Sequence, residues 1–253
     1  MSRVKKALLF TLAVLPLAVV GVYFATVYSI SSMDPALLED AIRQVGSREA
    51  VFLLSTIQPV ALALLFAFFG YILSDKLGLM RPFRFEKSLL LRVIVISVIC
   101  GGILSLDAWT FARWIPELSG SYDAAGSFDA PTWIASIFYG GVVEELMMRL
   151  FVMSLLAFLG WKLFFRRSDT VPAGVLIGAN IISALAFAAG HLPATAAMFG
   201  TLTPLPLLRC FLLNGAAGLV FGRFYRKYGI QYAMLAHMLF HVVSRTIWLI
   251  AMP

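Results

Sequence analysis

The chain has 253 residues, is 61% hydrophobic and 13% charged, and carries a formal net charge of +7. Soluble domains are about 45–50% apolar and about 25% charged, so this composition excludes an ordinary globular protein and indicates a polytopic membrane protein. The basic residues fall between apolar runs, which excludes a nucleic-acid partner and assigns the charge to membrane topology.

Apolar runs without a period of two cover 7–30, 51–74, 89–107, 132–161, 173–191, 204–222 and 230–252. They read as helices rather than barrel strands. The expected fold is all-α, a polytopic transmembrane helical bundle of about seven spans. The first run follows MSRVKK and extends from Ala7 to Ile30. It is too long for a signal-peptide core and has no clear small-residue cleavage site after it, so it reads as a retained span. Asp34-Pro35 then reads as a helix start, with Leu38, Ala41, Ile42 and Val45 on one face. An interfacial helix over 34–46 is expected there, a structured outer loop being the alternative.

In the second span, Gln58-Pro59 predicts a kink whose freed backbone groups must be satisfied by neighbours. Cys100 and Cys210 lie in apolar stretches and read as small core residues, not as a disulfide or metal pair. Trp109, Trp114 and Trp133 mark one interface, and Trp161 the other. In the sixth span, Asn214 with Gly218 and Gly222 predicts a close helix contact. Basic residues alternate by loop: Arg3, Lys5 and Lys6; Lys76, Arg81, Arg84, Lys87 and Arg92; Lys162, Arg166 and Arg167; Arg223, Arg226 and Lys227. The loops between them are poor in Lys and Arg. The N-terminus is therefore expected in the cytoplasm and the C-terminus outside. The expected location is an integral, multi-pass position in a bacterial inner (cell) membrane, in contact with lipid.

The fourth span holds Glu144, Glu145 and Arg149, His191 ends the fifth, and His237 and His241 lie in the seventh. Ionisable groups inside a membrane are costly and normally face an interior cavity. Glu145 and Arg149 are four apart with Glu first, the favoured order for an ion pair, so they read as a structural pair. Glu144 points about 100° away and is left to react. His237 and His241 share one helix face. At 1.5 Å per residue Glu144 lies about 18 Å below the outer surface, level with His237 and His241. His191 joins them only if its helix ends within the membrane or tilts strongly, the uncharged stretch LPATAAMFGTLTP dipping inward. A carboxylate with imidazoles can activate a water as general base and donate to an oxyanion. The same residues could instead hold a zinc ion, which lowers the pKa of its water. A proton-coupled transporter is the rival use of buried Glu and His.

The ordered set Glu144-Glu145-x-x-x-Arg149, Phe187-x-x-x-His191 and His237-x-x-x-His241 resembles the CPBP family of intramembrane proteases. That family groups CAAX prenyl endopeptidases with bacteriocin-processing enzymes, also called the Abi family. The resemblance covers about 130–245. It implies a protease core over 130–253, with 1–129 as N-terminal transmembrane spans of unassigned role. It implies an intramembrane endopeptidase, CAAX-protease-like, acting on a membrane-associated peptide or protein. Glu144 and His191 would activate water; His237 and His241 would bind the oxyanion; Glu145, Arg149 and Phe187 would support them. It also leaves two cofactor readings open: a metalloprotease with Zn2+ on Glu144, His191 and His237, or a metal-free glutamate mechanism. A non-catalytic immunity or interaction protein of the same fold is the remaining alternative. His241 stands where many members have Asn, and Leu150 where Gly is frequent. HExxH, GxSG and GxGD motifs are absent.

Overall fold

A computed structural model describes residues 1–252 apart from 83–84, 116 and 119–125. Among the described residues every regular element is helical. The order is α1 Arg3–Ser31, α2 Pro35–Val45, α3 Arg48–Lys76 and α4 Lys87–Ser105, which ends in 3₁₀ turns at Leu106–Trp109 and Phe111–Arg113. A continuous rod follows, made of α5 Ala130–Ile134, π1 Ala135–Glu144, π2 Leu146–Met153 and α6 Ser154–Phe164. Then come α7 Ala173–Gly190, α8 Leu192–Phe199, α9 Pro204–Tyr228 and α10 Ile230–Ala251.

Six helical stretches are long and apolar enough to cross a membrane: Arg3–Ser31, Arg48–Lys76, Lys87–Arg113, Ala173–Phe199, Pro204–Tyr228 and Ile230–Ala251. The rod from 130 to 164 is the remaining span, and it is the hub of the bundle. It packs against α1, α3, α7, α9 and α10, while α4 packs on α10. The sixth span is longer than the apolar run suggests, because α9 carries Arg223, Arg226 and Lys227 in its last two turns.

Association in a bilayer gains little from burying apolar surface, so close packing and polar bonds hold the bundle. Gly21 of α1 meets the rod so closely that a Cβ there would lie 2.6 Å from the Tyr139 nitrogen. Gly218 packs on Ala184, and Gly222 on Asn180, as the small-residue spacing predicts. Asn214 does not serve that contact; it lines a cavity described below. Ser154 Oγ donates to Tyr225 Oη at 2.6 Å, and Tyr225 Oη donates to Ser74 Oγ at 2.7 Å, tying α6, α9 and α3 together. Both cysteines are free, as expected.

Pro59 lies within an unbroken α3. Having no N–H, it leaves the Ser55 carbonyl without its i+4 donor. Thr26 Oγ1 of α1 donates to that carbonyl at 3.0 Å, which is the satisfaction by a neighbour that the sequence requires. The segment at 34–46 is a helix, α2, capped by Asp34, whose Oδ1 accepts from Ala36 N at 2.8 Å. No residue of α2 is buried.

Two expectations are corrected. The middle of the fourth span is wound as π-helix rather than α-helix, a form concentrated at functional sites. A π turn is wider and advances less per residue, so Glu144 lies shallower than the 18 Å that α geometry implies. The stretch after His191 is also helical over Leu192–Phe199, leaving only Gly200–Thr203 irregular. It forms α8, separated from α7 at His191, because Pro193 has no N–H to continue the ladder.

Candidate active site

The rod, α7 and α10 bring the predicted residues to one place. Glu144, His191, His237 and His241 all line a cavity of about 380 Å³. Its walls come from the end of α1 (Ala25, Tyr28), the end of α4 (Leu104), π1, the end of α7 and the middles of α9 and α10. The cavity thus reaches from the middle of the bundle toward the end away from the N-terminus. Tyr139, which the sequence did not single out, and Asn214, which it assigned to helix packing, share the wall.

Each imidazole is oriented by its Nδ1. His191 Nδ1 lies 2.8 Å from the Phe187 carbonyl, which can only accept, so Nδ1 carries the hydrogen. His237 Nδ1 lies 2.8 Å from Glu145 Oε1, and a carboxylate likewise only accepts. In the neutral rings both Nε2 atoms therefore present lone pairs. Both face Glu144: His191 Nε2 is 4.0 Å from Oε1, and His237 Nε2 is 3.9 Å from Oε2. Glu144 makes no direct hydrogen bond among the described residues and keeps 16% of its side chain exposed to the cavity.

The ion pair expected between Glu145 and Arg149 is present at 3.1 Å, with the side chains 0% and 1% exposed. It does more than neutralise itself, because Glu145 Oε1 also holds His237. Sequence spacing had no means to show this bond, which joins residues 92 apart. The Arg149 guanidinium lies over the Phe187 ring at 4.4 Å and faces Phe221 at 5.5 Å. Phe187 therefore supports the site through its ring and through its carbonyl. Phe221, absent from the motif, stacks on His237 at 4.2 Å. His241 lies parallel to His237 on the other side, ring centres 4.9 Å apart. Gly140 makes room for it: a Cβ there would come within 2.7 Å of His241 Nε2.

The tautomers suit a metal ligand, since ligating histidines commonly donate their other N–H to a carboxylate or carbonyl. The spacing does not. Two ligands 3.9–4.0 Å apart around a zinc at about 2.05 Å would subtend roughly 145–155°, far from tetrahedral. Among the described residues no group of three His, Cys, Asp or Glu is placed to hold a metal ion. A water fits the same gap, lying about 2.8 Å from Glu144 and from an imidazole at once.

Residues 126–243 match the family model described as Type II CAAX prenyl endopeptidase Rce1-like. This core is similar to the Rce1-like family. The matched region contains Glu144, Glu145, Arg149, Phe187, His191, His237 and His241. The match points to a CAAX-type intramembrane protease core, in agreement with the resemblance to the CPBP group. No match was found among curated proteins or among solved structures.

Proposed function

We propose that the protein is a glutamate-type intramembrane endopeptidase whose nucleophile is a water held between Glu144 and the two imidazoles. The observation that carries this reading is the facing of Glu144 by two Nε2 atoms at 3.9 and 4.0 Å, each ring fixed from behind. Glu144 takes a proton from the water as its oxygen attacks the scissile carbonyl carbon. The water's second hydrogen is held by an Nε2 lone pair. The carbonyl oxygen becomes an oxyanion, and His241, whose hydrogen no observed bond fixes on one nitrogen, donates to it. Collapse of the intermediate breaks the C–N bond, and the proton on Glu144 passes to the leaving amine.

The tautomers refine the division of labour that the resemblance implies. A neutral His237 accepts at Nε2, so it belongs with His191 at the water, leaving His241 as the oxyanion donor. The N-terminal spans are part of the site in this reading, since Tyr28 and Ala25 of α1 wall the cavity. The substrate is a peptide or the exposed segment of a membrane protein, entering from the end of the bundle opposite the N-terminus. With the basic loops inside, that end is the outer face.

The test compares protein termini in membranes of cells carrying the wild-type chain and Glu144→Ala. New termini that depend on Glu144, reproduced with the purified protein on the corresponding peptide, are expected. Identical termini in the two strains overturn the assignment. The same purified cleavage is expected to survive a strong chelator; its loss with chelator and its return with zinc would replace the glutamate mechanism with a metal one.

A further inference from the structure

A second cavity, of about 460 Å³, opens at the other end of the bundle from the candidate active site. Its cationic lining comes from Arg81 in the α3–α4 connection, Arg92 in α4 and Lys227 at the end of α9. Ser88, Tyr228 and Tyr232 add hydroxyls, and Glu86 is the one carboxylate among the lining residues described. The lining thus carries three formal positive charges against one negative. Among the described residues neither Arg81, Arg92 nor Lys227 forms an ion pair. Three cations converging without carboxylate partners, beside hydroxyl donors, suit an anion that carries several acceptor oxygens.

The position of the cavity selects the kind of anion. α4 begins at Lys87, α9 ends at Tyr228 and α10 begins at Ile230, so the cavity lies where these spans leave the hydrocarbon. Phe85 and Leu91 beside it are 70% and 61% exposed. An apolar surface open to the bilayer, next to a cationic pocket at the level of the headgroups, suits a molecule with a phosphate and acyl chains. A small soluble phosphate would use the charges but not the apolar neighbours.

We infer that this cavity binds the headgroup of an anionic phospholipid from the leaflet on the N-terminal side. The phosphodiester sits between Arg92, Lys227 and Arg81, and the acyl chains descend along α4 past Leu91. The lining, net positive by two, attracts a phosphodiester, and Glu86 in the same wall offers an acceptor for a headgroup hydroxyl. The site is independent of the proteolytic chemistry and stands whether or not that reading holds.

The test uses the full chain purified in a neutral detergent, with phosphatidylglycerol, phosphatidylcholine and inorganic phosphate as probes. Native mass spectrometry of the wild-type protein is expected to show one phosphatidylglycerol retained with a preference on the order of tenfold over phosphatidylcholine. A saturable rise in melting temperature is expected with phosphatidylglycerol and not with inorganic phosphate. Arg92→Gln with Lys227→Gln is expected to abolish the preference while leaving the lipid-free melting temperature and elution volume unchanged. Equal retention of the two lipids by the wild-type protein overturns the inference, and needs no variant to fold. An equal shift with inorganic phosphate also overturns it, in favour of a soluble-anion pocket. So does an undiminished preference in a folded double variant.

Discussion

Glu144 and Glu145 are adjacent in the chain and opposite in what their removal does. Glu144 has no hydrogen-bond partner among the described residues, so Glu144→Gln removes a lone carboxylate and leaves stability near that of the wild type. Glu145→Gln strips the charge from a partner of both Arg149 and His237, leaving a guanidinium that is 1% exposed without compensation. Breaking a buried pair from one side costs about 3–5 kcal/mol. Thermal unfolding in detergent is expected to separate the two variants: both inactive, only Glu145→Gln strongly destabilised. Equal melting temperatures would show that the Glu145–Arg149 pair does not hold the site. Residue type and spacing were enough to find Glu144, His191, His237 and His241, because ionisable groups in apolar runs are conspicuous. The same local arithmetic gave Glu145 to Arg149 alone. Its bond to His237 crosses between two spans, and no periodicity along one helix reports that. Tyr139 was hidden, and Asn214 was assigned to helix packing, for a related reason: an uncharged polar side chain in a span is common and carries no cost that marks it as part of a site.

At the scale of elements, the apolar runs located the spans to within a few residues, while their winding stayed invisible. A π segment and an α segment can have the same composition and hydrophobicity, so nothing in the apolar run distinguishes them. The helix α8 was missed because LPATAAMF lacks charge and caps, and the break at Pro193 was not drawn from the sequence. Pro59 was the most legible feature of all, as its missing N–H obliges some donor to replace it. Thr26→Val should cost about 1–3 kcal/mol by leaving the Ser55 carbonyl unsatisfied. In a Pro59→Ala background the restored N–H takes that carbonyl, and Thr26→Val should then cost close to nothing. A double-mutant cycle on melting temperature measures the difference; equal costs in the two backgrounds would remove the hydroxyl from this role.

The whole molecule is polarised. Arg3, Lys5, Lys6, Lys76, Arg81, Lys87, Arg92, Lys162, Arg166, Arg167, Arg223, Arg226 and Lys227 gather at one end, outnumbering Asp75, Glu86 and Asp169 there, while Asp34, Glu39, Asp40, Glu49 and Asp129 outnumber Arg43 and Arg48 at the other. This asymmetry was fully readable in the sequence, because topology depends on loop charge rather than on packing. Single cysteines introduced into a Cys100→Ser, Cys210→Ser background test it in intact cells. Ser32→Cys is expected to react with a membrane-impermeant maleimide, and Ser168→Cys only after lysis. The reverse pattern would invert the molecule and turn the mouth of the candidate active site toward the cytoplasm.

The buried partners of Arg149 also bear on how the chain enters the bilayer during synthesis. Residues 130–164 leave the ribosome before α7, α9 and α10, which supply Phe187, Phe221 and His237. Until those arrive, two glutamates and an arginine have only one another, and each such group costs about 2.5–3.5 kcal/mol at the centre of a lone inserted helix. The fourth span is thus a poor membrane segment by itself and is expected to wait beside the insertion machinery for its later neighbours. A nascent chain truncated after Val171 should leave it unintegrated and extractable by alkali, whereas one extending through Ala251 should lock it in place.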